Sequence, residues 1–278
     1  MGKCLVTKLN GTVDNDNLLR IGEIRLFNTK LSNPTANSQY MSLTFSKDAN
    51  LEIVGDAYFT DTKLSENRGK TKSCLANQNG NFYVSNNDCQ IAILDKYSLV
   101  KVETNAHRLG DLEDLRFSKG LISMIARDSG QTGDISNLKN LTALTTLSLG
   151  SKRTVLTGDI GELRTLTKCT EMYLSYNKFT GDLATLPSVC SYVSLENDKG
   201  SVLTWSTRPS SAKIIAFVGT ATLTNIDKML QDQAQCQVGF SESDPSWKKI
   251  IQIAGTRTSA SDDAVATLQR KGYTISIA

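Results

Sequence analysis

Histidine is almost missing. In 278 residues, His107 is the one side chain whose ordinary chemistry moves a proton near neutral pH. The sequence has no Gly-x-Ser-x-Gly elbow, no phosphate loop ending in Gly-Lys-Ser/Thr and no His-Glu-x-x-His pair. We therefore expect no catalytic residues, no metal ligands and no cofactor. A glycosidase built on two carboxylates needs no histidine, but no acidic pair stands apart from the repeats described below. Long apolar runs are missing too. None approaches the roughly 20 residues that span a bilayer, so no membrane insertion is expected. Charge of one sign is not concentrated: 31 basic residues face 28 acidic ones, for a net +3. The richest basic set, Lys63 to Lys72, reads as a solvated loop, and nucleic acid is not an expected partner.

Cysteine is present six times but never as a Cys-x-x-Cys pair. With so little histidine, a zinc site is poorly supplied. Cys4, Cys74, Cys89, Cys169, Cys190 and Cys236 read as reduced thiols, mostly buried. The apolar segment within Met1–Asn10 is too short for a secretory signal. Val6 stands where myristoylation requires Ser or Thr. Synthesis in a cytoplasm is the expectation.

What the sequence does have is repetition. Thr132-Gly133-Asp134-Ile135 recurs at Thr157-Gly158-Asp159-Ile160 and at Thr180-Gly181-Asp182-Leu183, at nearly even intervals. Apolar residues follow in step: Ile135, Leu138, Leu141; Ile160, Leu163, Leu166; Leu183, Leu186, Val189. Preceding each later motif is a run reading apolar-x-x-apolar-x-apolar: Leu144, Leu147, Leu149; then Cys169, Met172, Leu174. Cys190, Val193 and Leu195 repeat it, and Leu121, Met124 and Ala126 fit the same frame. Such a unit cannot cover its own apolar face, so neighbours must stack. Cys169 and Cys190 then occupy equivalent core positions. The glycines supply a backbone conformation that other residues resist. Each Asp accepts hydrogen bonds where the return segment starts.

These motifs resemble the leucine-rich repeat. Leu174-Ser175-Tyr176-Asn177-Lys178-Phe179-Thr180-Gly181-Asp182-Leu183 is similar to the subtype best known from plants. The fold class expected is an α/β leucine-rich-repeat solenoid over residues 106–278, preceded by a small antiparallel β domain over residues 1–105. Parallel strands are expected near 121–126, 144–149, 169–174, 190–195, 214–219, 250–255 and 273–277. Helices are expected over Thr224–Gln235 and from Ser261 to Lys271, with Gly272 as a stop.

Between residues 1 and 105, short apolar runs alternate with turn residues. Candidate strands are Cys4–Lys8, Gly22–Leu26, Ser42–Phe45, Leu51–Ile53, Phe82–Val84, Cys89–Leu94 and Val100–Glu103. Asp14–Asn17 reads as a turn, since it lacks the glycine and distal Glu of a calcium loop. Tyr58-Phe59 reads as a strand-packing pair. His107 to Lys119 reads as a short helix or an irregular first repeat covering the solenoid's open end.

Strand residues between core positions face the concave side. The candidate contact set is Thr146, Ser148, Glu171, Tyr173, Ser175, Tyr192, Ser194 and Glu196, with Ile251, Gln252 and Ala254 further along. Tyrosine gives such a surface large area at low entropic cost.

The opening Met1–Gly11, with Ile21–Arg25 and Leu51–Phe59, resembles virion structural proteins of crAss-like phages of Bacteroidales. The resemblance implies a phage virion protein, a capsid-attached head fibre or decoration. Residues 1–105 would anchor it to capsid or other virion proteins in a homo-oligomer, a trimer ahead of a dimer. The repeats would face a host surface glycan or protein. The alternative is a bacterial leucine-rich-repeat adhesin on the cell surface, and a carbohydrate-active enzyme ranks third.

Overall fold

One apolar residue from each strand of the repeats enters a single stack, and that stack organises the chain. The computed structural model describes residues 24–27, 40–45, 49–55, 72–76, 82–84, 89–93, 99–105, 111–116 and 118–278. Cys4–Lys8, Asp14–Asn17, Tyr58-Phe59, residues 63–71 and His107 lie outside the described residues.

Strands β1 (Ile24–Phe27), β2 (Tyr40–Phe45), β3 (Ala49–Gly55), β4 (Lys72–Ala76), β5 (Phe82–Val84) and β6 (Cys89–Ile93) come first. All their pairings with one another are antiparallel, in the orders β1-β6-β3-β4 and β2-β5. Strand β4 falls in a stretch that the sequence reading left without a strand. Next comes β7 (Leu99–Asn105), antiparallel to β2 on one side. On its other side β7 runs parallel to β8 (Ser123–Arg127), so the parallel ladder starts one strand before residue 106.

From there the ladder continues through β9 (Thr146–Ser148), β10 (Glu171–Tyr173), β12 (Tyr192–Leu195), β14 (Ala216–Leu223), β15 (Ile250–Ala254) and β16 (Thr274–Ile277). Register places Val102, Met124, Leu147, Met172, Val193, Phe217, Ile251 and Ile275 in one row. All but the last are fully buried. Burying each such side chain contributes about 1.5–3 kcal/mol, and only stacking makes that burial possible. Ile251, expected on the concave side, belongs to this core row instead. Ile250, like Thr146, Glu171 and Tyr192, stands one residue before the core row, so the frame's first position falls on Lys248 and not on the apolar Ile250.

The Thr-Gly-Asp corners form a second ladder behind the first. Asp134 accepts from the Ser136 N–H at 2.8 Å, Asp159 from Gly161 at 2.7 Å and Asp182 from Ala184 at 2.9 Å. Each caps a short 3₁₀ turn, over Ile135–Leu138, Ile160–Thr165 and Leu183–Thr185. Parallel bridges join Asp134 to Thr157 and Asp159 to Thr180. At Gly158 the φ angle is +114°, and a Cβ there would lie 2.4 Å from the Asp134 carboxylate of the preceding coil. The glycine thus serves two purposes: it adopts a left-handed conformation and leaves room for the neighbouring cap.

Asp111 extends this second ladder upstream. It caps helix α1 (Leu112–Leu115), accepts from Glu113 N–H at 2.8 Å, and bridges to Thr132. Of the two readings of this connector, the irregular first repeat describes it better. Its departure from the pattern is Ser118, fully buried where later coils carry Leu141 and Leu166, with a hydroxyl lacking a hydrogen-bond partner.

Two buried polar side chains tie the middle coils. Asn177 accepts from Leu156 N–H at 2.9 Å and donates to the carbonyls of Leu149, Leu174 and Ser175. Arg208 is 3% exposed. Its guanidinium donates to the carbonyls of Ala184, Leu186, Pro187, Cys190 and Lys213 at 2.9–3.3 Å.

Two further short strands, β11 (Thr180–Asp182) and β13 (Val202–Thr204), pair in parallel at the corner, and β13 also meets the far end of β14. The last coils return through helices α2 (Ile226–Gln235) and α3 (Asp262–Arg270). Ile226, Met229 and Leu230 of α2 are buried, as are Ala264 and Leu268 of α3. Asn225 precedes α2 at φ 62° without a side-chain cap. Asp227 instead accepts from Thr258 and Ser261. Among the described residues, no helix is long and apolar enough to cross a membrane.

Candidate functional site

The concave face is not the open strip of polar side chains that alternation suggests. After α2, residues 237–249 fold back over it before β15 begins. Gln237 bridges to Lys213, and Gly239 N–H donates to the Tyr273 hydroxyl at 3.0 Å. The segment then carries Trp247 onto the tyrosines of the face. The Trp247 ring lies 4.9 Å from Tyr192 and 6.3 Å from Tyr173, both near edge-on, and the two tyrosines are 5.4 Å apart. Lys248 next to it pairs with Glu171 and, at 3.5 Å, with Asp244.

The roof touches three of the candidate residues, Glu171, Tyr173 and Tyr192. Thr146, Glu171 and Tyr192 share one row, while Ser148, Tyr173 and Ser194 share the next. Tyr192, Ser194 and Ser148 are 5, 3 and 7% exposed, so they present almost no contact surface of their own. Ser194 is within 2.7 Å of the Ser175 hydroxyl, a contact that braces neighbouring strands. Thr146, Glu171, Tyr173 and Ser175 remain half-buried, and Glu196 is exposed. Trp247 is 38% exposed and joins them. The sequence reading missed Trp247 and Lys248, which belong to no repeat and lie far along the chain from the strands they touch. A tryptophan in an unassigned polar stretch was the one signal available.

Electrostatics make this patch a neutral, firmly protonated aromatic cluster. Burial, then the hydrogen bond its hydroxyl donates to Glu171 at 2.8 Å, pushes the Tyr173 phenol up. Burial is also the main cause at Tyr192, moved from the ordinary 10.0 to about 12. Burial works against the Lys248 ammonium, but the hydrogen bond and charge of Glu171, with Asp244, hold its pKa above the ordinary lysine value. Beneath the face, burial pushes the Cys169 thiol to about 12 and Cys190 to about 11. Such thiols are poor nucleophiles, since the thiolate is the reactive form. Among the described residues, no group of three His, Cys, Asp or Glu side chains is placed to hold a metal ion.

A pH dependence follows. Tyr192 and Tyr273 both sit near 12 against an ordinary 10.0, each through burial first. The unfolded chain therefore releases these protons earlier. The stability they contribute is complete below pH 10 and is lost as the pH climbs toward 12. The denaturant midpoint should fall across that interval, and phenolate absorbance should show a late group of tyrosines. A single transition for all tyrosines at the ordinary value would refute this.

No family model and no curated protein matches the sequence. Solved structures do resemble it. An internalin C2 from Listeria monocytogenes aligns at 15% identity and a TM-score of 0.39, over 66% of this chain and 83% of its own. An internalin F of the same organism aligns at 17% identity and a TM-score of 0.28, over 64% and 67%. The PEPR1–AtPEP1 structure aligns at 17% identity and a TM-score of 0.38, over 66% of this chain but 25% of that one. The chain's own ladder, not these distant likenesses, defines its architecture. It is a parallel-strand solenoid, and its recurring strand and Thr-Gly-Asp corner fit the leucine-rich-repeat pattern.

Proposed function

We propose that this chain is a protein-interaction module whose contact surface is the roofed concave face. The observation that carries the reading is the half-exposed pair of Tyr173 and Trp247. Tyr173 stands on β10 and Trp247 in the segment folded over it, with Thr146, Glu171, Ser175 and Glu196 also accessible on the face. Aromatic rings held by packing lose little entropy on binding, which makes them effective anchors. The finer reading is a virion protein of a Bacteroidales phage, a head fibre or capsid decoration anchored as an oligomer through residues 1–105. The N-terminal resemblance supports it, as does the absence of any catalytic constellation in the sequence.

The test uses labelled protein and Bacteroidales cells. Binding is expected, and Trp247→Ala and Glu196→Arg should each weaken it about tenfold or more, as loss of an interface anchor does. Lys139→Ala, on the return side of the coil, should leave it unchanged. No cell binding, or equal loss in all three variants, would remove the concave-face reading. Detection of the chain by mass spectrometry in purified virions, with added density on the head, tests the finer one.

A further inference from the structure

Past each concave strand the coil turns through a loop, and three of these loops meet around one tyrosine. Tyr176 lies between Lys152 of the preceding coil and Lys199 of the following one. The two ammoniums sit 5.7 and 5.6 Å from the centre of its ring. Lys178 is exposed on the Tyr176 loop. The Lys199 N–H donates to the Asn177 carbonyl at 2.9 Å, which sets the main chain of Lys199 beside that of Lys178. All three lysines are exposed, and among the described residues none is within ion-pair distance of a carboxylate. The nearby aspartates serve the backbone. Asp128 accepts from the Lys152 main-chain N–H at 2.9 Å. Asp198 accepts from the N–H groups of Gly200 and Ser201 at 2.8 and 2.6 Å and from the Ser201 hydroxyl. The lysines stand far apart in the sequence, and only the coil gathers them.

Backbone conformation marks the same spot. Asp128, Tyr176 and Asn197 stand at the same distance after the core-row residues Met124, Met172 and Val193, and all three have positive φ, at 46°, 67° and 53°. Asp and Asn enter this region readily, whereas a bulky side chain does so at a cost. Of the three positions, only the one between the two lysines carries a bulky residue. Strain of this kind collects at binding sites. Here the ring holds both ammoniums, since a cation over an aromatic face is attracted to it. Side chains ordered in advance lose less freedom when a ligand arrives.

We propose that Lys152, Tyr176 and Lys199, with Lys178 beside them, bind an acidic polysaccharide, the ammoniums holding the carboxylates of its uronate sugars. Glu196 decides between kinds of polyanion. It is exposed at the border with the concave face, and its carbonyl accepts from the Tyr176 N–H at 2.9 Å. Duplex nucleic acid carries one charge per ~1.7 Å of its axis, so its phosphates would lie against Glu196 as well as against the lysines. A uronate polymer carries a single carboxylate on each sugar with hydroxyls between, and those hydroxyls donate to a carboxylate such as Glu196. This surface lies on the loop flank of the coil and does not depend on the proposed contact at Tyr173 and Trp247.

Calorimetric titration of the full chain with polygalacturonate and with neutral dextran tests this. Polygalacturonate should bind, more weakly as salt rises from about 50 to 200 mM, and dextran should not. Replacing both Lys152→Gln and Lys199→Gln, two exposed positions, should weaken binding about tenfold. Lys139→Gln, on the return side and paired with Glu162 at 3.1 Å, should bind as the original does. Tyr176→Asn separates ligand binding from packing. It should melt no lower, because Asn suits the left-handed conformation as Asn197 does, yet bind about threefold more weakly once the lysines lose their clamp. Equal binding of dextran, tighter binding of single-stranded DNA than of polygalacturonate, or a double lysine variant that binds like the original would overturn the proposal. So would a Tyr176→Asn chain that loses stability and keeps its affinity.

Discussion

Replacing Arg208 with Met should destabilise the solenoid by about 3–5 kcal/mol, since each buried acceptor left without a donor costs about 1–3 kcal/mol. The cause is the set of carbonyls left behind. The guanidinium spreads over Ala184, Leu186, Pro187, Cys190 and Lys213, all main-chain oxygens of one corner and of the approach to β14. Burial lowers the Arg208 pKa, with the nearby thiols acting the other way. No carboxylate stands among its guanidinium's partners; Asp232 instead accepts from the Arg208 main-chain N–H and from Trp205. Methionine fills similar volume, so what is lost is hydrogen bonding rather than packing. Arg208→Lys should recover little, because one ammonium cannot reach carbonyls arranged for a planar fork. Chemical denaturation measures both. A loss under about 1 kcal/mol for Met would mean that water replaces the guanidinium at those oxygens.

Gly158→Ala should cost about 2–6 kcal/mol, and the cost has two separable parts. Holding a non-glycine residue at φ +114° contributes about 1–3 kcal/mol. Pushing a methyl into the Asp134 carboxylate adds an overpacking cost of about 1–3 kcal/mol. Asp134→Ala alone should lose about 0.5–2 kcal/mol with its cap to Ser136. In the double variant the methyl has nowhere to clash, so the combined loss should fall short of the sum. A strictly additive double-mutant cycle would show that the two coils do not touch at this corner.

The ladder was legible because stacking imposes its own period on the sequence. Leu147, Met172 and Val193 recur at one frame since each must fill the same layer, and the structure aligns them in register. The Thr-Gly-Asp corners were legible for a similar reason: a cap and a left-handed glycine must recur together. Asp111 was half legible. Leu109-Gly110-Asp111-Leu112 stands one period ahead of Thr132-Gly133-Asp134-Ile135, but Leu replaces Thr and a buried Ser118 interrupts the apolar series. Helices α2 and α3 showed themselves through their buried faces, as expected.

The roof was not legible. Residues 237–249 have no periodicity, and nothing local says that Trp247 must land on Tyr192 or Lys248 on Glu171. Those contacts follow from where the coil places the ends of α2 and β15. This is why Tyr192, concave by alternation, is buried in fact. Arg208 was hidden too, because an arginine between Thr207 and Pro209 reads as surface until the corner it plugs is known.

The tucked aspartates have an effect on how the coil tolerates change in length. The stretch from Asp134 to Asp159 is longer than the one from Asp159 to Asp182, yet both corners close alike. The surplus sits between β9 and Thr157, around Ser151–Thr154, upstream of the clasp. Pitch is therefore set at the corner and loop length is set elsewhere. The arc between strand and clasp can lengthen or shorten slightly while its neighbours keep their phase.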